Sequence, residues 1–191
     1  EAIEMALHDS DIIRTMGCGI AGLSIVADSL SAIRYAQVTP VRDETGLVVD
    51  YLTEGDFPRY GNDDDRADEI AAVVVHTIMQ KIRAQELYRD AMPTQSVLTI
   101  TSNVVYGRNT GAFPSGHKAG TPFAPGANPE NGADSHGMLA SMLSVGKLDY
   151  HDALDGISLT NTITPSGLGR DKDEQMGNLV GLLDAGFVPE N

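Results

Sequence analysis

Hydrophobic positions along this chain follow two different periods, and the switches between them mark out its elements. Ile3 and Leu7 lie four apart and predict a helix over 1–14. Leu23, Val26, Leu30 and Ile33 fall at i, i+3, i+7 and i+10, which predicts a second helix over 20–36. The pattern then changes. Asp43-Glu44-Thr45-Gly46 is a turn signal, and the β-rich run Leu47-Val48-Val49-Asp50-Tyr51-Leu52-Thr53 behind it predicts a hairpin arm. Gly61-Asn62-Asp63-Asp64-Asp65 reads as a loop and helix N-cap, with carboxylates at the positive end of a helix dipole. Ile70, Val74, Ile78 and Ile82, at strict four-residue spacing, predict a helix reaching 88, with Pro93 as its stop. The strongest strand signal spans 95–105, where Leu98, Ile100, Ser102 and Val104 alternate with Val97, Thr99, Thr101 and Asn103. Pro114, Pro122, Pro125 and Pro129 punctuate 106–135, a long ordered loop or domain junction of the kind that often carries function. A short helix over 137–148 and a strand over 157–164 follow. A last helix opens with Asp171-x-x-Glu174 as a capping-box analogue and carries Met176, Leu179, Val180 and Leu183. No repeat at solenoid periods is present. This mix of elements fits α/β or α+β, and periodicity does not choose between them.

Composition narrows the classes. A chain of 191 residues suffices for one domain with a real core, or for a piece of something larger. Hydrophobic residues at 41% fit a folded globular chain. No run approaches the length of a membrane span, so no membrane partner is expected. Asp and Glu number 27 against 13 Lys and Arg, a net charge of −14 that argues against nucleic acid, whose phosphates need a basic face. The single cysteine excludes a disulfide framework or a Cys-rich zinc site and suits a reducing, cytoplasmic location. Glu1-Ala2-Ile3-Glu4-Met5 has neither an initiator Met nor a signal-like core, and the last residues follow directly on Phe187-Val188. The expectation is an internal fragment.

Short motifs alone do not yield a function. Gly17-Cys18-Gly19-Ile20-Ala21-Gly22 matches the glycine pattern of a dinucleotide-binding turn, with Asp43 and Glu44 following at about the right distance. That fingerprint requires a strand directly before Gly17, and Asp9-Ser10-Asp11-Ile12-Ile13-Arg14 reads as more helical than sheet-like. The alternative is that these glycines permit close backbone approach at a helix start. A strand before Gly17 would favour the nucleotide reading, and a helix would exclude it. Gly111-Ala112-Phe113-Pro114-Ser115-Gly116-His117-Lys118 resembles a phosphate loop, but the lysine is one position late and no Ser or Thr follows it. The five histidines show no metal-ligand spacing. Cys18 stands beside glycines with no visible base partner, as a structural thiol would. Asp63-Asp64-Asp65 reads as a solvated cap.

Longer stretches are more specific in combination. Met5-Ala-Leu-His-Asp9, Arg14-Thr-Met-Gly-Cys-Gly-Ile-Ala-Gly-Leu-Ser24, Ala27-Asp-Ser-Leu-Ser-Ala-Ile33, Pro93-Thr-Gln-Ser-Val-Leu-Thr-Ile-Thr-Ser-Asn-Val-Val-Tyr-Gly107 and Pro122-Phe-Ala-Pro-Gly-Ala-Asn-Pro129 closely resemble the pyruvate formate-lyase family of glycyl-radical enzymes. The similarity runs without obvious gaps over essentially the whole chain. Ser115-Gly-His-Lys118 departs from it, because the family more usually has Asp-Gly-Arg-Arg there, and local charge pairing must differ.

The resemblance implies an α/β fold, part of a ten-stranded α/β barrel, with this chain in its C-terminal half. It implies that residues 1–118 are the C-terminal part of a lyase domain that ends near Lys118, and that residues 125–191 are the N-terminal part of a glycine-radical domain that begins near Pro125. The family reaction converts pyruvate and coenzyme A to acetyl-CoA and formate, in anaerobic glucose fermentation, through a glycyl radical relayed to an adjacent cysteine pair. This sequence has neither a Cys-Cys pair nor an Arg-Val-Ser-Gly-Tyr loop, and Cys18 matches a different family cysteine. The resemblance therefore assigns no catalytic residue, metal ligand or bound cofactor to this chain; the parent enzyme carries the glycyl radical and takes coenzyme A as substrate. Leu98 and Ile100 match positions that line the pyruvate pocket, where a dry apolar wall protects a radical; alternation alone is equally consistent with core residues on a buried strand. The implied partners are the remainder of its own chain, a second copy in a homodimer and a radical-SAM activating enzyme, with no nucleic acid and no membrane. Related activities on 2-ketobutyrate or a diol, and from another class a dinucleotide-binding module at Gly17–Gly22, are the alternatives.

Overall fold

The computed structural model describes residues 3, 6, 7 and 12–187. The helix predicted over 1–14 falls mainly outside those residues, and 12–14 are irregular. Three parallel strands form the main sheet in the order β1 (Thr15–Gly19), β4 (Met92–Val97), β5 (Gly156–Ile157). Thr15 to Gly19 pair with Met92 to Ser96, and Ser96 and Val97 pair with Gly156 and Ile157. Between β1 and β4 the chain makes helix α1 (Leu23–Tyr35), an antiparallel hairpin of β2 (Gln37–Arg42) and β3 (Val48–Glu54), and helix α2 (Asp65–Arg83). After β4 come α3 (Asn103–Arg108), an irregular crossover, α4 (Met138–Gly146), β5, α5 (Pro165–Leu168) and α6 (Lys172–Gly186).

Local chemistry accounts for the boundaries. In the hairpin turn, Asp43 Oδ1 accepts from Thr45 N at 2.9 Å, Thr45 Oγ1 at 2.6 Å and Leu47 N at 3.0 Å, an Asx-type closure. Asp64 caps α2 by accepting from Arg66 N at 3.0 Å. Asp171 caps α6 through Asp173 N and Glu174 N, while Glu174 reaches back to accept from Arg170 N at 2.8 Å. That last bond closes the capping box one residue earlier than the usual pattern.

α1 and α2 face each other across a core that joins Leu23 and Ala27 to Tyr60, Ala67, Ala71, Val75, Val97, Ala127, Val145 and Leu148. The alanines let the two helices approach closely. On α2 the fully buried face is Ala67, Ala71, Val75 and Met79; the larger stripe Ile70, Val74, Ile78 and Ile82 flanks it and is half-buried. On α1 the second half of the predicted stripe is turned out: Leu23 is buried and Val26 half-buried, but Leu30 is 43% and Ile33 58% exposed. Ser24, Asp28, Ser29 and Ser31 are buried in their place. Ser31 Oγ donates to Pro58 O at 2.6 Å, and Asp28 Oδ1 accepts from Tyr60 N at 2.7 Å, so this polar face binds the backbone of the 57–60 loop.

Three predicted boundaries are corrected. The strand predicted over 95–105 runs instead from Met92 to Val97, and helix α3 begins at Asn103. Asn103 explains the break: its Nδ2 donates to Phe123 O at 2.7 Å and its carbonyl accepts from Phe123 N at 3.2 Å, so the crossover takes the bonds that a longer strand would need. Leu98, Ile100, Ser102 and Val104 therefore do not share one strand face. The strand predicted over 157–164 is two residues long, because Asn128 pairs its side-chain amide with the backbone of Thr160 at 2.7 and 2.9 Å. α2 ends at Arg83, not near 88, and Pro93 lies inside β4. There β5 does not reach, and the missing N–H costs no ladder bond on that side.

Candidate functional site

In a parallel sheet the carboxyl ends of the strands are where loops gather and ligands bind. Here that edge comprises Ile20, the residues following Val97, and Ser158. The crossover lies across it. Gly126 N donates to Thr99 O at 2.7 Å, Ala127 N donates to Ser158 O at 2.8 Å, and Thr99 Oγ1 donates to Ile20 O at 3.2 Å. One residue from each strand end is thereby tied into a single network. Close packing fixes the crossover further. Gly22, at φ 81, turns the chain from β1 into α1, and a Cβ there would meet the Phe123 ring at 3.1 Å. A Cβ on Gly107 would run into the Thr121 carbonyl and the Pro122 backbone, so α3 and the crossover touch backbone to backbone.

Leu98 and Ile100 stand at this edge, just beyond the end of the central strand. Val97 is fully buried, whereas Leu98 is 38% and Ile100 55% exposed. Both side chains thus lie outside the core that the described residues form. The Leu98 methyls pass 3.8–3.9 Å from where a Cβ on Gly156 would stand. The crossover itself walls a cleft of about 510 Å³ with Phe123, Pro125, Asn128 and Glu130, and neither Leu98 nor Ile100 lines it.

The departure Ser115-Gly-His-Lys118 has its own pairing. His117 is buried, with Nδ1 2.6 Å from Glu130 Oε1 and Nε2 3.1 Å from Thr121 O. Its ring lies against those of Phe113 and Phe123. Lys118 turns outward to Asp50 on β3, at 2.8 Å.

Buried charge is concentrated around α1 and α2. Burial pushes the Asp28 carboxyl from 3.8 up to about 7, against the Tyr60 N–H and the Arg59 guanidinium 3.9 Å away. Burial likewise raises Asp68, opposed by bonds from Lys147 and Ser144. Burial works against the Lys147 ammonium, yet Asp63, Asp65 and Asp68, each within 2.9 Å, hold it charged beyond the ordinary lysine range. Asp152 also loses water, but His76 at 2.5 Å and Arg83 at 2.7 Å keep its carboxyl below the usual range. These pairs clamp α2 to the 144–152 segment. Sequence reasoning passed over Asp28, Asn103, Asn128 and the His117–Glu130 pair, because each partner is at least 13 residues away and no local spacing signals it.

The glycine motif is resolved by register. A strand does enter Gly17–Gly22, as the nucleotide reading requires, but it contains Gly17 and Gly19, which pair with Thr94 and Ser96. Ile20 N donates to Ser96 O, and the Phe123 ring packs over Gly22, on the side where a ligand would approach the turn. Asp43 closes the hairpin turn instead of ending a second parallel strand. Of the three glycines, only Gly22 stands at a helix start. Cys18 is a half-buried free thiol within β1. Among the described residues, no group of three or more His, Cys, Asp or Glu is placed to hold a metal, and no helix is long and apolar enough to cross a membrane.

Comparison with known proteins agrees with this architecture. The α/β fold matches a glycyl radical enzyme from Archaeoglobus fulgidus with a TM-score of 0.72 and 26% identity, over 91% of this chain and 23% of that one. It matches the B12-independent glycerol dehydratase of Clostridium butyricum with a TM-score of 0.74 and 26% identity, over 92% and 24%. In sequence the chain is 58% identical to the PFL-like enzyme TdcE and 57% identical to formate acetyltransferase 1, both of Escherichia coli K12, over 190 residues. The match takes in 100% of this chain and 25% of each relative, so the chain spans a quarter of their length. Residues 1–107 match the family described as pyruvate formate lyase-like, and residues 123–190 match the glycine radical family. The chain belongs to the pyruvate formate lyase-like family of glycyl-radical enzymes.

Proposed function

We propose that the protein carrying this segment is a formate C-acetyltransferase, converting pyruvate and coenzyme A to acetyl-CoA and formate. The observation that carries the reading is 57% identity to formate acetyltransferase 1 across the whole chain. In this reading the segment is a sector of the ten-stranded barrel. Leu98 and Ile100, exposed at the carboxyl edge of its strands, form an apolar wall of the pyruvate pocket. Their role is steric and solvent-excluding: they keep water from the reacting carbon and limit the length of the 2-keto acid. The crossover is then the passage from the lyase domain, ending near Lys118, to the glycine-radical domain, beginning near Pro125. The cysteine pair, the radical glycine and the coenzyme A contacts belong to the rest of the polypeptide. The working enzyme is a cytoplasmic homodimer activated by a radical-SAM enzyme.

A second reading is the sister activity that the family resemblance leaves open, a related glycyl-radical enzyme acting on 2-ketobutyrate, and 58% identity to the PFL-like enzyme TdcE beside 57% to formate acetyltransferase 1 keeps it open. The two are separated by kcat/KM for pyruvate and 2-ketobutyrate, measured with coenzyme A on the activated full-length protein. A clear preference for pyruvate supports the first reading. Preference for 2-ketobutyrate supports the second, and formate from neither overturns both.

A further inference from the structure

A histidine ring satisfies two acceptors only when both nitrogens carry a proton. His117 faces two: the Glu130 carboxylate at 2.6 Å from Nδ1 and the Thr121 carbonyl at 3.1 Å from Nε2. The His117 side chain is 1% exposed, so no water replaces either partner. Glu130 Oε2 is itself buried with no hydrogen bond. If the shared proton sits on Glu130 instead, the pair still needs it. Remove one proton and two acceptors face each other in a dry site. His76 makes the contrast: Nδ1–H serves Asp152, and Nε2 accepts from Gln80 Nε2 at 2.7 Å, so a neutral ring satisfies both.

The two acceptors of His117 bracket the stretch of crossover that covers the strand ends. Thr121 precedes Phe123 and Gly126, which bond to Asn103 and Thr99, and Glu130 follows Ala127 and Asn128, which bond to Ser158 and Thr160. We propose that His117 is a positioning residue whose buried ring, tied to Glu130 at one nitrogen and to Thr121 at the other, latches residues 121–130 over the carboxyl edge of the sheet. The other charged groups around it are already engaged. Lys118 pairs with Asp50 of β3, and Arg59 of the 57–60 loop bonds to Ser115 O and lies by Asp28 of α1. Asp28, whose carboxyl feels the Glu130 charge, bonds to Tyr60 N. None of these substitutes for the two bonds of the ring.

The test is amide hydrogen exchange of peptides spanning 118–132 in the full-length protein. His117→Phe, which keeps a ring against Phe113 and Phe123 but makes no hydrogen bond to Glu130 or Thr121, lowers their protection by about tenfold or more, while an α2 peptide holds its protection. Unchanged protection in His117→Phe, or an equal fall in the α2 peptide, overturns the proposal. If His117→Phe does not fold, residue 130 decides: Glu130→Gln, which keeps an acceptor, holds the protection and Glu130→Leu loses it, whereas unchanged protection in Glu130→Leu overturns the latch.

Discussion

Asp28→Asn should stabilise this protein at neutral and alkaline pH. The carboxyl is fully buried; Oδ1 holds Tyr60 N–H at 2.7 Å, Oδ2 has no hydrogen bond, and Arg59 stands 3.9 Å off. Burial raises its pKa from 3.8 to about 7. The folded state therefore binds a proton that the unfolded chain releases near 3.8. The stability penalty grows as pH rises from 3.8 and is complete above about 7. About 3 units at about 1.36 kcal/mol each give a penalty of about 4 kcal/mol with the Arg59 attraction already included, an upper bound because the carboxamide brings buried N–H donors of its own. Asparagine keeps the acceptor for Tyr60 and carries no charge. The expected gain is about 1–4 kcal/mol above pH 8 and near zero below about pH 4. Local opening free energies from hydrogen exchange of the 57–62 peptide, in the full-length protein at both pH values, measure it. A variant that loses protection at high pH, or gains the same amount at both, would refute the assignment of a strained buried carboxyl.

Gly107→Ala places a Cβ against the Thr121 carbonyl and Pro122 backbone, which no rotamer relieves. It should destabilise by about 2–4 kcal/mol and unseat the crossover, read as raised exchange in residues 119–127. Leu98→Ala in the activated full-length enzyme should leave the radical yield intact and raise kcat/KM for 2-ketobutyrate relative to pyruvate by about tenfold; unchanged kinetics on both acids would make Leu98 an ordinary packing residue. The 191-residue chain expressed alone should bind a hydrophobic dye and melt without cooperativity, because Leu30, Ile33, Val73 and Leu52 are exposed on it. A sharp thermal transition from a monodisperse monomer would contradict that expectation.

Where a segment's structure is decided locally, its residues announce it. The hairpin rests on one Asp43 side chain within five residues, and the starts of α2 and α6 rest on Asp64 and Asp171 directly beside the amides they cap. The α1 helix was legible, but its inward face was not. Periodicity searches for apolar residues, and this face is buried by Ser24, Asp28, Ser29 and Ser31 because loops 57–60 and 113–117 offer backbone groups to bond. The strand at 95–105 was overextended for a related reason. Its β-branched alternation continues past Val97, yet Asn103 and Thr99 bond to the crossover about 20–27 residues on, and tertiary hydrogen bonds override propensity. The candidate wall at Leu98 and Ile100 came from resemblance and not from spacing. Its place at the edge of a parallel sheet became visible only once β1, β4 and β5 had been aligned. The glycine motif misled in the opposite sense, since its pattern matched while Gly17 and Gly19 lie inside β1 and Phe123 packs on Gly22.

The most direct test of the account uses the full-length protein, incubated without oxygen with a radical-SAM activating enzyme and then given pyruvate and coenzyme A. Electron spin resonance should show a glycine-centred doublet, and formate and acetyl-CoA should appear in equal amounts and only after that signal. The absence of a glycine radical under conditions that activate formate acetyltransferase, or a full radical signal with no formate from any 2-keto acid, would contradict the account.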